Sequence, residues 1–298
     1  MLEIRRILCP VDFSEPSQHA LDHAVMIAGW YRSRITLLHV RQPALFSEPP
    51  ILFTDMDVGS AASFEDVEPR LHHWLAPVRA SGILCDVMAV DGNSPAAHIV
   101  EVSGRIEADL VVLGTHGRSG FERLLLGSVT EKVVRMSKVP VVTVPPPSVS
   151  TSTLPFRRVL CGVDFSAPSM AGLRFALSLA KESNSTLTLL HVLEFGPESD
   201  AFSTQPFDMA TYRDAVRVDA TRRLVDLVTD DVRTWCDPAT KVLCGKPYEQ
   251  ILAAAAENRS DLIVLGVHGR NSLDLMVFGS TTNQVIRRAT CPVLTLTH

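Results

Sequence analysis

The chain has 298 residues, 46% apolar and 20% charged, which excludes a disordered chain and allows two ordinary domains or one large one. Its 28 basic and 33 acidic side chains leave a formal charge of −5, so no nucleic-acid partner is expected. No run approaches the roughly 18–20 apolar residues of a membrane span, and the opening MLEIRRILCPVDF lacks the apolar core and cleavage site of a signal peptide.

The first apolar run, Arg6–Val11, reads as a strand ending in Pro10-Val11-Asp12-Phe13-Ser14. Ser14 supplies an N-cap and Pro16 a first turn, and Leu21, Ala24, Val25 and Ala28 follow at helical spacing. His19 and His23 lie four apart on that helix, and with no third ligand in view they read as a solvated face. Ile35–Val40 is a strand buried on both faces, with His39 as a satisfied core histidine. Residues 42–62 are irregular. Phe64–Ala80 is amphipathic and helical, with boundaries disturbed by Pro69 and Pro77. Strand Ile83–Val90, helix Pro95–Ile106, strand Leu110–Leu113, helix Gly127–Ser137 and strand Val139–Val144 complete this half.

The same phrases return at one constant offset. Asp12 recurs as Asp164, His39 as His191, Gly114 as Gly266, Gly127 as Gly279, and Pro140 as Pro292. Gly92 and Gly245 are displaced by one, the mark of a small compensated insertion. The chain is therefore a tandem duplication, with domains at 1–146 and 156–298 and a linker at 147–155 inside the proline- and Ser/Thr-rich stretch Pro145–Pro155. The six cysteines form no Cys-x-x-Cys and are expected as buried free thiols in a reducing cytoplasm.

Alternating strands and helices with short apolar strands call for an α/β fold: two tandem doubly wound parallel sheets. Ligands in such sheets bind beyond the carboxyl ends of strands, where the strand order reverses. Asp12 and Gly114 each end a strand, so one crevice receives a carboxylate together with a glycine loop, and Asp164 and Gly266 repeat this. The loop follows the spacing Gly114-x2-Gly117-x9-Gly127-Ser128 and again Gly266-x2-Gly269-x9-Gly279-Ser280. Glycines admit backbone N–H groups close to an anion, and the helix that follows adds its positive dipole end. Neither a P-loop nor a dinucleotide-binding glycine motif after the first strand is present. Asp12 and Asp164 have a helix-capping alternative, because Ser14 and Ser166 follow closely.

With the double glycine signature, the Val-Asp-Phe-Ser phrase at 11–14 and 163–166, and Gly92-Asn93-Ser94-Pro95, the chain resembles a tandem member of the universal stress protein family. The resemblance implies five parallel strands per domain in the order 3-2-1-4-5, Rossmann-like and of the adenine-nucleotide-binding type. It implies that Pro10, Val11, Asp12 and Val40 surround the adenosine of the first site. Gly114, His116, Gly117, Arg118, Gly127, Ser128, Val129 and Thr130 would surround its phosphates. In the second site the implied residues are Gly162, Val163, Asp164 and Val192, then Gly266, His268, Gly269, Arg270, Gly279, Ser280, Thr281 and Thr282. Gly162 stands where the first half has Pro10, so the two sites need not bind equally.

The ligand implied is ATP or another adenine nucleotide, with Mg2+ on the phosphates. The function implied is a cytoplasmic stress-response regulator; the alternative is a slow ATPase or self-phosphorylating enzyme, with His116 and His268 as the base candidates. The last strands carry no Lys, Glu or Asp to protect an edge, so the two halves are expected to pair with each other. The same reasoning leaves room for a homodimer of whole chains, and the resemblance for a regulatory protein partner.

Overall fold

The structure is a computed structural model that describes residues 3–42, 67–115, 126–146, 156–195, 209–236, 238–267 and 279–297. The chain divides into two compact units, Glu3–Pro147 and Ser148–His298. The first runs β1 (Arg6–Pro10), α1 (Glu15–Tyr31), β2 (Arg34–Arg41), α2 (Val67–Ala80), β3 (Cys85–Asp91), α3 (Pro95–Arg105), β4 (Leu110–Gly114), α4 (Ser128–Met136) and β5 (Val141–Val144). Its strands lie in the order β3-β2-β1-β4-β5, every pairing parallel.

The second unit runs β6 (Arg158–Gly162), α5 (Ala167–Ser183), β7 (Thr186–Leu193), α6 (Met209–Asp226), α7 (Asp230–Trp235), β8 (Ala239–Cys244), α8 (Pro247–Glu257), β9 (Leu262–Gly266), α9 (Ser280–Arg288) and β10 (Val293–Leu296). Its order is β8-β7-β6-β9-β10, again parallel, so the expected 3-2-1-4-5 arrangement is present in both units.

The central strands form the core because both of their faces are covered. Ile7, Leu8, Ile35, Leu37, Leu38, Leu110 and Val111 in the first unit are almost inaccessible, as are Leu160, Leu189, Ile263 and Val264 in the second. Helix α2 runs through both of its prolines. Pro69 lies in its first turn, where no backbone donor is needed, and Pro77 in its last, while Leu71, Leu75 and Val78 are buried. Helix α7 has no counterpart among the described residues of the first unit.

Two acidic residues close the amino ends of the sheets. The Asp109 carboxylate accepts the N–H groups of Arg5 (2.7 Å) and Arg6 (2.9 Å), and Asp261 accepts those of Arg157 (2.8 Å) and Arg158 (2.9 Å). These bonds join the chain entering β1 or β6 to the start of β4 or β9.

Cys9, Cys161 and Cys291 are buried as expected, but Cys85 and Cys236 are half-buried and Cys244 is exposed at the end of β8, and all are free thiols. No helix among the described residues is long and apolar enough to cross a membrane.

Candidate functional site

The strand order reverses between β1 and β4, and the residues leaving these two strands line the crevice. Beyond β1, Val11 bonds back to β2 through its N–H to Leu38 O (2.8 Å), and Asp12 then begins the turn into α1. Asp12 Oδ1 accepts from the Ser14 N–H at 3.0 Å and the Ser14 hydroxyl at 2.5 Å, and the Ser14 hydroxyl accepts the Ser17 N–H at 3.4 Å. Ser14 is therefore the N-cap and Asp12 braces it. The aspartate is not itself the cap, because its Oδ1 accepts from the capping serine and not from the helix's first turn. Asp164, Ser166 and Ser169 repeat the pattern at 3.0, 2.5 and 3.4 Å.

Between Asp and Ser the backbone takes the left-handed conformation, with φ of +63° at Phe13 and +64° at Phe165. A bulky residue there costs on the order of 1–3 kcal/mol, so its surroundings must hold it. The Phe13 ring lies 4.7 Å from the His39 ring and edge-on to Trp74 at 5.4 Å, and the Arg70 guanidinium sits 4.0 Å above it. Phe165 has His191 at 4.8 Å and Arg223 at 4.0 Å. The histidines are fixed from below, Nδ1 donating to Val11 O at 2.8 Å in the first unit and to Val163 O at 2.6 Å in the second. They are satisfied histidines, as expected, but only His191 is a core residue, His39 being half-buried.

Val40 occupies the last turn of the β2 pleat. Leu38 O faces β1 and Arg41 O faces β3, where it accepts the Gly92 N–H at 2.9 Å. Alternation along the strand therefore aims the Val40 N–H and C=O towards β1, one step past the last rung. Val192 has the same relation to β6, between Leu190 O (to Val163 N–H) and Leu193 O (to Gly245 N–H).

On the other side, β4 ends at Gly114, where an added Cβ would lie 2.8 Å from Pro16 O in the first turn of α1. At Gly266 it would lie 2.7 Å from Ser169 N. These two glycines are required by helix packing, whatever the ligand. The chain leaving β4 is tied to its own return, with Gly127 N–H donating to Thr115 O at 2.8 Å; Gly279 N–H donates to Val267 O at 3.2 Å. A Cβ at Gly279 would lie 2.9 Å from that same Val267 oxygen.

Gly127 and Gly279 are the N-cap residues of α4 and α9 and give no side-chain cap, so each helix brings its positive dipole end to this side of the sheet without one among the described residues. Ser128 and Ser280 are exposed there, with Val129 and Thr281 half-buried. Thr130 and Thr282 are buried, and their hydroxyls donate to Gly114 O (2.7 Å) and Gly266 O (2.8 Å). Their protons bind helix to strand and are not directed at a ligand.

Of the residues expected at the site, Pro10, Val11, Asp12, Val40, Gly114 and Gly127 through Thr130 gather at this end of the first sheet, as do their counterparts in the second. His116, Gly117, Arg118, His268, Gly269 and Arg270 lie outside the described residues. The Pro10/Gly162 difference has a visible consequence, because the space beside Gly162 is filled by Leu265, whose Cδ2 would lie 2.6 Å from an added Cβ. His23, half of the histidine pair on α1, donates through Nδ1 to His19 O at 2.9 Å, and burial lowers its pKa. Among the described residues no group of three or more His, Cys, Asp or Glu side chains is arranged to hold a metal ion.

Phe13, Arg70 and their counterparts were not anticipated. The signal for them was the repetition itself: Asp-Phe-Ser occurs twice, and Arg70-Leu71 returns as Arg223-Leu224, each leucine fully buried.

Fold and crevice together define the class: a doubly wound, Rossmann-like α/β domain with a polar switch-point crevice, present twice. The universal stress protein family matches residues 3–145 and again 155–296. The chain belongs to that family as a tandem two-domain member. It is 28% identical over 204 residues to universal stress protein Rv2005c of Mycobacterium tuberculosis, an alignment covering 68% of this chain and 65% of the relative. A universal stress protein of Mycolicibacterium smegmatis is 25% identical over 300 residues, covering 97% of this chain and 95% of its own. The crystal structure of a universal stress protein from Archaeoglobus fulgidus superposes with a TM-score of 0.68 at 25% identity, covering 99% of both chains.

Proposed function

We propose that the chain is a cytoplasmic stress-response regulator that binds an adenine nucleotide, ATP with Mg2+, in the crevice of each unit. The observation that carries this reading is the meeting, twice over, of Val40 or Val192, Asp12 or Asp164, and an uncapped helix N-terminus at one switch point. Val40 presents one donor and one acceptor side by side, the complement of the adenine edge formed by N1 and the 6-amino group. Asp12 offers acceptor capacity to ribose hydroxyls. The first-turn N–H groups of α4, with the Ser128 hydroxyl, suit phosphate oxygens. Mg2+ would ride on the phosphates and supply charge neutralisation there.

The Gly-x2-Gly-x9-Gly-Ser signature supports the reading, as does family membership. In this role nucleotide occupancy controls association with a protein partner.

Calorimetric titration of the nucleotide-stripped chain with ATP and magnesium tests it, with an expected stoichiometry near two. No binding overturns the reading, and one equivalent overturns the two-site form. Release of ADP in the same mixture would favour the enzyme alternative.

A further inference from the structure

We infer that Arg70 and Arg223 are positioning residues, holding the strained turn that presents Asp12 and Asp164 to the crevice; the inference rests on the nucleotide reading for its ligand. Each guanidinium lies 4.0 Å above the ring of a phenylalanine with φ near +64°. Each ring also neighbours a histidine whose Nδ1–H is bonded to the last carbonyl before the aspartate, Val11 O or Val163 O. Arginine, phenylalanine, histidine and backbone thus form one continuous chain of contacts, with the ring pairs tilted at 39° and 49°, closed by the short segment that carries the carboxylate.

Three features show that this chain of contacts is built and not incidental. It occurs in both units, although Trp74 joins it only in the first. Its arginines come from α2 and α6, elements distant in sequence from the turn, and each is followed by a fully buried leucine that anchors the helix beside it. Neither guanidinium has a carboxylate within ion-pair distance among the described residues, although Arg223 lies near enough to Asp219 to help hold that carboxyl's pKa down, so the ring is the closest partner shown for each.

A cation over an aromatic face is attracted by the ring quadrupole, and a planar guanidinium also stacks on it. Removing the cation weakens the hold on a backbone conformation that phenylalanine otherwise avoids, leaving the histidine and, in the first unit, Trp74 as the ring's remaining partners. Asp12 then loses the direction in which its carboxylate meets the ligand.

The test uses the full chain with the second unit as internal control. Arg70 is exposed, so Arg70→Gln is expected to weaken ATP at one of two sites by about two- to fivefold, Arg70→Lys to restore part of that loss, and the other site to be unchanged. Phe13→Gly, which keeps the left-handed backbone but removes the ring, is expected to lose as much as Arg70→Gln. The double variant is expected to lose no more than either alone. Wild-type affinity in Arg70→Gln, or multiplying losses in the double variant, overturns the inference.

If wild-type protein binds no ATP, the nucleotide reading fails, and with it the ligand side of the inference. The holding role is then decided by the backbone amide resonances of Asp12 to Ser14. These shift and broaden in Arg70→Gln if the arginine holds the turn, and their constancy overturns that role.

Discussion

One hydroxyl serves both ends of the first turn: Ser14 Oγ donates to Asp12 Oδ1 at 2.5 Å and accepts the Ser17 N–H at 3.4 Å. Helix cap and crevice carboxylate are therefore a single unit. Ser14→Ala should lower stability by about 1 kcal/mol through the lost cap. It should also weaken ATP at the first site several-fold, because Asp12 is no longer braced. Thermal unfolding and calorimetry on the same sample check the pair, and loss of the cap with unchanged affinity would separate the two roles.

Gly114→Ala should cost about 1–3 kcal/mol, because its Cβ would press on Pro16 O at 2.8 Å and push α1 away from β4. Gly114 is the signature glycine whose need is set by packing, so urea denaturation is the appropriate measurement. A variant of native stability that only loses ligand would contradict this.

Thr130→Val keeps the shape and removes the donor to Gly114 O, leaving a buried carbonyl short of a partner. The expected loss is about 1–3 kcal/mol, with Thr130→Ser close to wild type. Denaturant titration of the two variants decides it.

Burial pushes the Cys161 thiol up from an ordinary value of 9.0 to about 12, does the same to Cys291 with Asp261 adding to it, and raises Cys9 further. Their native thiols stay protonated where unfolded ones ionise. The stability they contribute is complete below pH 9 and falls as pH rises towards about 12. Each fully buried thiol steepens that fall by about 1.4 kcal/mol per pH unit. Chemical denaturation across this range should show a shallower decline for Cys161→Ala. At pH 8 an aromatic disulfide reagent should label Cys85, Cys236 and Cys244 in the native chain and the remaining thiols only after unfolding.

Much of the fold was legible because the apolar strands are short, buried on both faces and written twice. Repetition placed Asp12 against Gly114 before any geometry was known. Local chemistry could not show that Pro69 and Pro77 fit the first and last turns of α2, because that depends on where the helix begins. Nor could it show Phe13 in a left-handed turn, since a sequence rule disfavours what Arg70 and His39 stabilise from other elements. Gly114 was legible as necessary but not for its actual reason, which is the first turn of α1 lying against it.

The hydrogen bond from Gly127 to Thr115 has an engineering meaning. Because the two ends of that excursion are clasped at its base, the sheet is insulated from the length of what lies between them. Closure entropy grows only slowly, about 0.6 kcal/mol for each doubling of length. An insertion between positions 115 and 127 is therefore expected to leave β4 and α4 in register, which the unfolding midpoint of a lengthened variant checks.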